Sequence, residues 1–373
     1  MYPMKRFNRT ITIAMMAVMI LMPVSTFAAS FSPTWKETVP TNNKRKDNCR
    51  PITNSGYLDT QGVAFDIYST KDGYAFNKGT DGKKDFQLVH FTMKGNKITK
   101  KGYVKYKTAN VGHANDGTIF RWGGKKYLLF AVSGGKELAS KTYDGKTCKL
   151  GVIWLDEYNK GVAKVRAVKI KTNDDISMPR DIPKANFSGI TYTGMRAVEG
   201  ANRPVFVIKD GMNLYAAYFT INDAREITLT IFDRAKVEKP KIKYKGKKYD
   251  SSTQGITFHN GYVYIPFSGE TAKAINQNMI IGRITYNKLF AGSQYDTKVL
   301  QTYNKRIDKY KAVVKVKKGK KVYKTKALAK YIPEAIFFKT LNGNKPMYMA
   351  VNRASTASKA KDVDAVVVSK QKF

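Results

Sequence analysis

The chain is poor in the side chains that most protein chemistry uses. Its 373 residues include two cysteines, three histidines and 28 acidic residues against 67 basic ones. Cys49 and Cys148 allow one disulfide at most, tying an N-terminal lead segment to the second of the repeats described below; two unrelated thiols are the other reading. His90, His113 and His259 stand far apart, and no His-Glu-x-x-His, Gly-x-Ser-x-Gly, phosphate-cradling Gly loop or calcium-loop spacing occurs. No metal or cofactor is therefore expected. Long helical periodicity is absent, and no apolar run of spanning length follows the N-terminal one. No sorting motif or hydrophobic tail closes the chain, which argues against covalent wall anchoring.

The single long apolar run has the form of a leader. Lys5, Arg6 and Arg9 precede the apolar residues 11–22, and Thr26-Phe27-Ala28-Ala29 offers a small-residue cleavage site. Residues 1–28 read as a signal peptide, with an uncleaved anchor as the alternative. The mature protein is then expected to be secreted and associated with the cell surface or wall.

What the chain has in plenty is short apolar strands joined by tight turns. Thr257-Phe258-His259 passes through Asn260-Gly261 into Tyr262-Val263-Tyr264-Ile265, and Asn-Gly accepts the positive φ angles of a two-residue hairpin. Similar pairs begin near Gln61, Asp116, Arg203 and Glu334. In the third copy Ser188-Gly189-Ile190-Thr191-Tyr192 competes with Pro204-Val205-Phe206 for the first strand. A further apolar run follows each pair, at 86–91, 150–155, 227–232, 279–286 and 365–368. Five copies of one antiparallel unit predict an all-β, five-bladed β-propeller over 59–373. Residues 29–58 form the lead segment, and 51–59 could supply the outer strand of the last blade, closing the ring and hiding an edge.

The formal net charge is +39, three charges belonging to the leader, and 53 of the basic residues are Lys against 14 Arg. A diffuse Lys field favours loose association with a polyanion, whereas Arg gives bidentate forks; the bland alternative is solubility and blunted strand edges. The densest basic stretch, with Lys315, Lys317, Lys318, Lys320, Lys321 and Tyr323, reads as a projecting hairpin. A smaller one carries Lys243, Lys245, Lys247 and Lys248. Both Lys-rich insertions suit anionic cell-wall polymers such as teichoic acids, or the anionic membrane surface of a target cell. Export argues against nucleic acid.

In a propeller the inner strand of each blade begins at the central channel. Gln61, His113, Asn115, Asp116, Arg203, Gln254 and Glu334 are the candidate channel-mouth residues. The alternative is that they cap strand ends and bond to one another. Asp116 and Glu334 are the candidate carboxyl pair for a hydrolase.

Gly112-His113-Ala114-Asn115-Asp116, Ser252-Thr253-Gln254-Gly255-Ile256-Thr257-Phe258 and Pro333-Glu334-Ala335-Ile336 resemble the blade signatures of the helveticin J family of large bacteriocins. That resemblance implies a five-bladed propeller, secreted by a Gram-positive cell, envelope-associated and antibacterial. The leader and the Lys-rich insertions depart from that pattern and favour surface attachment. The first expectation is thus a non-enzymatic propeller bound to anionic envelope glycopolymers. The second is an exported hydrolase acting on a polysaccharide or phosphodiester at the channel mouth.

Overall fold

The computed structural model describes residues 35–37, 59–78, 85–94, 97–107, 113–133, 142–143, 146–147, 150–159, 164–173, 187–223, 226–253, 255–269, 278–306, 309–317, 320–355 and 363–373. Residues 1–28, read above as a signal peptide, and Cys49, Cys148 and Gln254 lie outside them. Among the described residues no helix is long and apolar enough to cross a membrane.

Alternating apolar residues and tight turns build five small antiparallel sheets in a propeller arrangement. The first blade runs outward through Asp59–Phe65, Asp72–Lys78, Asp85–Lys94 and Lys97–Lys107. The second follows with His113–Trp122, Lys125–Ser133, Leu150–Trp154 and Arg166–Ala167. The fourth has Thr257–His259, Tyr262–Ser268, Asn278–Thr285 and Gln301–Arg306. At its first turn Asn260 and Gly261 take φ of 47° and 76°, the pair of left-handed residues that an Asn-Gly hairpin uses.

The third blade corrects the reading that placed its first strand at Pro204. Its inner strand is Gly189–Val198, followed by Ala201–Asp210, Asn213–Ile221 and Ile227–Val237. The segment 227–232 is therefore a fourth strand. Lys169–Thr172 adds to its outer edge in parallel, so the basic run 165–170 serves two blades. Ring closure also differs. The fifth blade, Lys320–Phe337, Pro346–Ser355 and Val363–Lys372, takes its outer strand from Trp35–Glu37, upstream of the expected 51–59.

Both Lys-rich hairpins form. Lys309–Lys317 pairs with the first half of Lys320–Phe337, with Lys317 opposite Lys320 and Val313 opposite Tyr323. This strand continues unbroken into the inner strand of blade five, and the side chains of Lys315, Lys317, Lys318, Lys320, Lys321 and Tyr323 lie outside the described residues. In the smaller hairpin, Ile242–Tyr244 with Lys247–Tyr249, Lys243, Lys245, Lys247 and Lys248 are all exposed.

The core sits between neighbouring blades rather than at one centre. Phe120, Leu129 and Val152 of the second pack on Phe206, Phe219 and Leu229 of the third, with Phe120 edge-on to both aromatic partners. Val63 and Phe65 of the first meet Ala335 and Phe337 of the fifth, the two Phe rings stacked at 5.8 Å. Each blade thus has an apolar face on both sides, which is why its inner strands read as continuous apolar runs.

His259 stands beside the Asn260-Gly261 turn, a place that by sequence alone predicts exposure. It is fully buried, its ring stacked on Phe338 at 4.1 Å. Nδ1 lies 2.8 Å from the Thr340 carbonyl; Nε2 lies 2.8 Å from that of Gly343 and 3.0 Å from that of Phe373. One ring of blade four thereby lies within hydrogen-bond distance of three carbonyls of blade five. His259→Leu strands the Thr340 carbonyl, those of Gly343 and Phe373 also accepting from Asn260 Nδ2, and a loss of about 1–2 kcal/mol in urea unfolding is expected.

Candidate functional site

Each inner strand has near its start a polar residue, a small one and an apolar one or Thr: Gln61-Gly62-Val63, Asp116-Gly117-Thr118, Ser188-Gly189-Ile190, Gln254-Gly255-Ile256 and Glu334-Ala335-Ile336. The small residue lets strands crowd the axis. A Cβ on Gly62 would lie 2.5 Å from the Asn115 carbonyl oxygen and 2.6 Å from Asp116 Cα. One on Gly189 would lie 2.8 Å from Ile256 Cγ2.

A bulge falls on the polar residue or beside it in three of the five blades. The ladder skips Gln61 between Thr60 and Gly62, Asn115 between Ala114 and Asp116, and Glu334 between Pro333 and Ala335. A bulge inserts one extra residue and turns the local backbone, a device found beside active sites. It falls on the triplet's polar residue in blades one and five and one residue earlier in blade two, where Asp116 stays paired with Ala131. Gln61, Asp116 and Glu334 are all buried there, and a side chain on Gly255 would start 3.2 Å from Asp116 Oδ2 and 3.4 Å from the Glu334 carbonyl oxygen.

Asp116 is held from several blades. Its Oδ2 accepts the Ile256 amide at 2.9 Å, and its carboxyl also accepts the amides of Gly117 and Ile190. Burial pushes this carboxyl well above the ordinary Asp range; the three amides and the charge of Lys209 pull the other way. Lys209, from the second strand of blade three, is fully buried and donates to Ser188 Oγ at 2.5 Å. Burial lowers its pKa to about 8, opposed by Asp116 and Asp210.

The remaining candidates are placed as follows. Asn115 donates from Nδ2 to the Phe187 carbonyl at 3.3 Å. His113 opens its strand opposite Ser133, its side chain outside the described residues. Arg203 is not at the channel: it sits opposite Arg196 near the far end of blade three, 3.8 Å from Glu199 and over the Tyr218 ring. Its place belongs to Ser188, which the polar-Gly triplet marks. Lys209 had no sequence signal, being a single Lys at the end of an apolar run. Among the described residues no cluster of three or more His, Cys, Asp or Glu could hold a metal.

No protein-family model and no curated protein matches the chain. Solved structures of similar fold do. An α-L-arabinofuranosidase from Lactobacillus brevis is 12% identical, with 86% of this chain and 92% of that chain covered and a TM-score of 0.41. An exo-β-1,3-galactanase from Clostridium thermocellum is 12% identical, over 85% and 61%, at 0.40. A β-xylosidase/α-arabinofuranosidase from a compost metagenome is 10% identical, over 90% and 94%, at 0.40. At these values the likeness is one of fold. The expectation of a non-enzymatic, envelope-bound bacteriocin-like protein is corrected here. The similar structures are of enzymes that act on glycans rather than of a bacteriocin.

Proposed function

We propose that the protein is an exported glycan hydrolase whose reaction centre is the axial carboxyl pair Asp116 and Glu334. The observation that supports it is that the Asp116 carboxyl and the Glu334 backbone, from different blades, meet beside Gly255, with the Asp116 and Glu334 side chains both buried at the axis. Glycosidic cleavage needs one protonated and one ionised carboxyl. Burial keeps Asp116 protonated further up the pH scale than an exposed Asp, which suits the acid. In the step, the leaving glycosidic oxygen takes the Asp116 proton as its bond to the anomeric carbon breaks. Water adds to that carbon and its proton passes to the Glu334 carboxylate.

A purely structural role for Asp116 has its own support, since its three amide partners come from three blades. The two readings part at Glu334. Purified protein is assayed for reducing ends released from arabinan, xylan and galactan, the glycans that the similar enzymes suggest. Turnover is expected to fall about 100-fold or more in Glu334→Gln with the melting temperature kept. Absence of turnover on every glycan, or turnover indifferent to that change, overturns the reading.

A further inference from the structure

At the other end of the axis, where the inner strands turn back into the second strands, lies an open cleft of about 700 Å3. Tyr68, Arg121, Tyr192, Met195, Arg196 and Asn342 line it. Val63, Phe65, Ile336, Phe337 and Phe338 fill the axis beneath, around a void of about 30 Å3, so the cleft is walled off from Asp116 and Glu334. A volume of that size is within the range of small-ligand pockets.

The inner strand of blade three is shaped for this cleft. Its ladder jumps from Tyr192 to Gly194, and Gly194 adopts a φ of 116° with open space where a side chain would begin. Regular strands alternate faces. Here five successive residues, Tyr192 to Arg196, border the cleft, which the bulge makes achievable.

The electrostatics point one way. The Arg121 guanidinium lies 4.6 Å from the Tyr68 ring centre, and that of Arg196 lies 4.0 Å from that of Tyr286. Stacking fixes the plane of a guanidinium and leaves its in-plane N–H donors for a ligand. Among the described residues neither Arg has a carboxylate within ion-pair distance, and Arg196 Nε is buried without a hydrogen-bond partner. Among the described residues no acidic one lines the cleft. Asp233 lies close enough to Tyr286 to act on it but accepts the Arg234 amide instead.

We infer that this cleft is a binding site for an acidic sugar, its carboxylate or phosphate held between Arg121 and Arg196 and its ring against Tyr68 and Met195. Tyr68 and Met195 are exposed apolar surface, and the Asn342 amide is at hand for ring hydroxyls. This site does not depend on the hydrolase reading, because the two ends of the axis are separated.

The test is calorimetric titration of the purified protein at about 0.15 M salt, where loose attraction to the basic surface is screened. The probes are glucuronate, glucose 6-phosphate, inorganic phosphate and glucose. Saturable binding of at least one acidic sugar is expected, about tenfold or more weaker in Arg121→Gln and in Arg196→Gln. Glucose should not bind, and the double variant Lys243→Gln/Lys247→Gln on the exposed hairpin should bind as the parent does. The preferred acidic sugar tells carboxylate from phosphate. Arg121 is exposed, so its variant decides the matter should Arg196→Gln fail to fold. No saturable binding of either acidic sugar, equal binding of glucose or of phosphate alone, or equal losses in the hairpin variant overturns the inference.

Discussion

Asp116→Asn is expected to lower glycan hydrolysis about a thousandfold, the upper-middle of what one positioned acid supplies, while stability falls by only about 1–2 kcal/mol. Asparagine keeps the oxygen that accepts the Ile256 amide but has no proton to give the leaving group. Asp116→Leu strands the amides of Gly117, Ile190 and Ile256 together, and a loss of about 4 kcal/mol is expected in urea unfolding. An asparagine variant as active as the parent would leave Asp116 as a tie between blades and nothing more. The pH dependence has a definite sign. Burial raises the Asp116 carboxyl, so the acid-dependent rate is present below its raised pKa and falls as pH climbs through it. Its contribution to stability follows the same course, full below the ordinary Asp value and lost as pH rises through the raised one. Lys209 runs opposite. Its pKa, lowered to about 8, gives a contribution that is full above the ordinary Lys value and is lost as pH falls through about 8. Melting curves of parent and asparagine variant across this range separate the two, because only the Lys209 component persists in the variant.

Much of the propeller was legible because its blades repeat a short physical pattern. Asn260-Gly261 and Asp116-Gly117 announced a turn and a strand start by residue type alone. The third blade misled because Pro204-Val205-Phe206-Val207-Ile208 is as apolar as any inner strand, being packed against both neighbouring blades. The decisive mark was the Gly of Ser188-Gly189, whose missing side chain leaves room for Ile256. Trp35–Glu37 as the closing strand was out of reach, since an edge strand of three residues carries little pattern. At the site, Gln61, Asp116 and Glu334 could be named but their convergence could not. It depends on bulges at Gln61, Asn115 and Glu334, and a bulge without a left-handed Gly leaves no trace in residue type. His259 was misplaced for a related reason: its partners are backbone carbonyls 81 to 114 residues away.

Gly62→Ala is expected to destabilise the protein by about 3 kcal/mol, the upper end of what overpacking costs, read from urea midpoints. The added methyl would sit 2.5 Å from the Asn115 carbonyl oxygen and 2.6 Å from Asp116 Cα, both main-chain atoms that cannot swing aside as a side chain can. Asn115 is the extra residue of its bulge, so relief requires either flattening that bulge or parting the inner strands of blades one and two. Either movement shifts Asp116 relative to Ile256 and Glu334. Activity should therefore fall further than the folded fraction does. Gly102→Ala is the matched control: nothing lies within 4 Å of its would-be Cβ, and a change within about 0.5 kcal/mol is expected. Equal midpoints for the two variants would mean that the first two inner strands have slack between them. In that case the crowding that presses Asp116 toward its partners would have to originate from Gly189 and Gly255 on the opposite side of the axis.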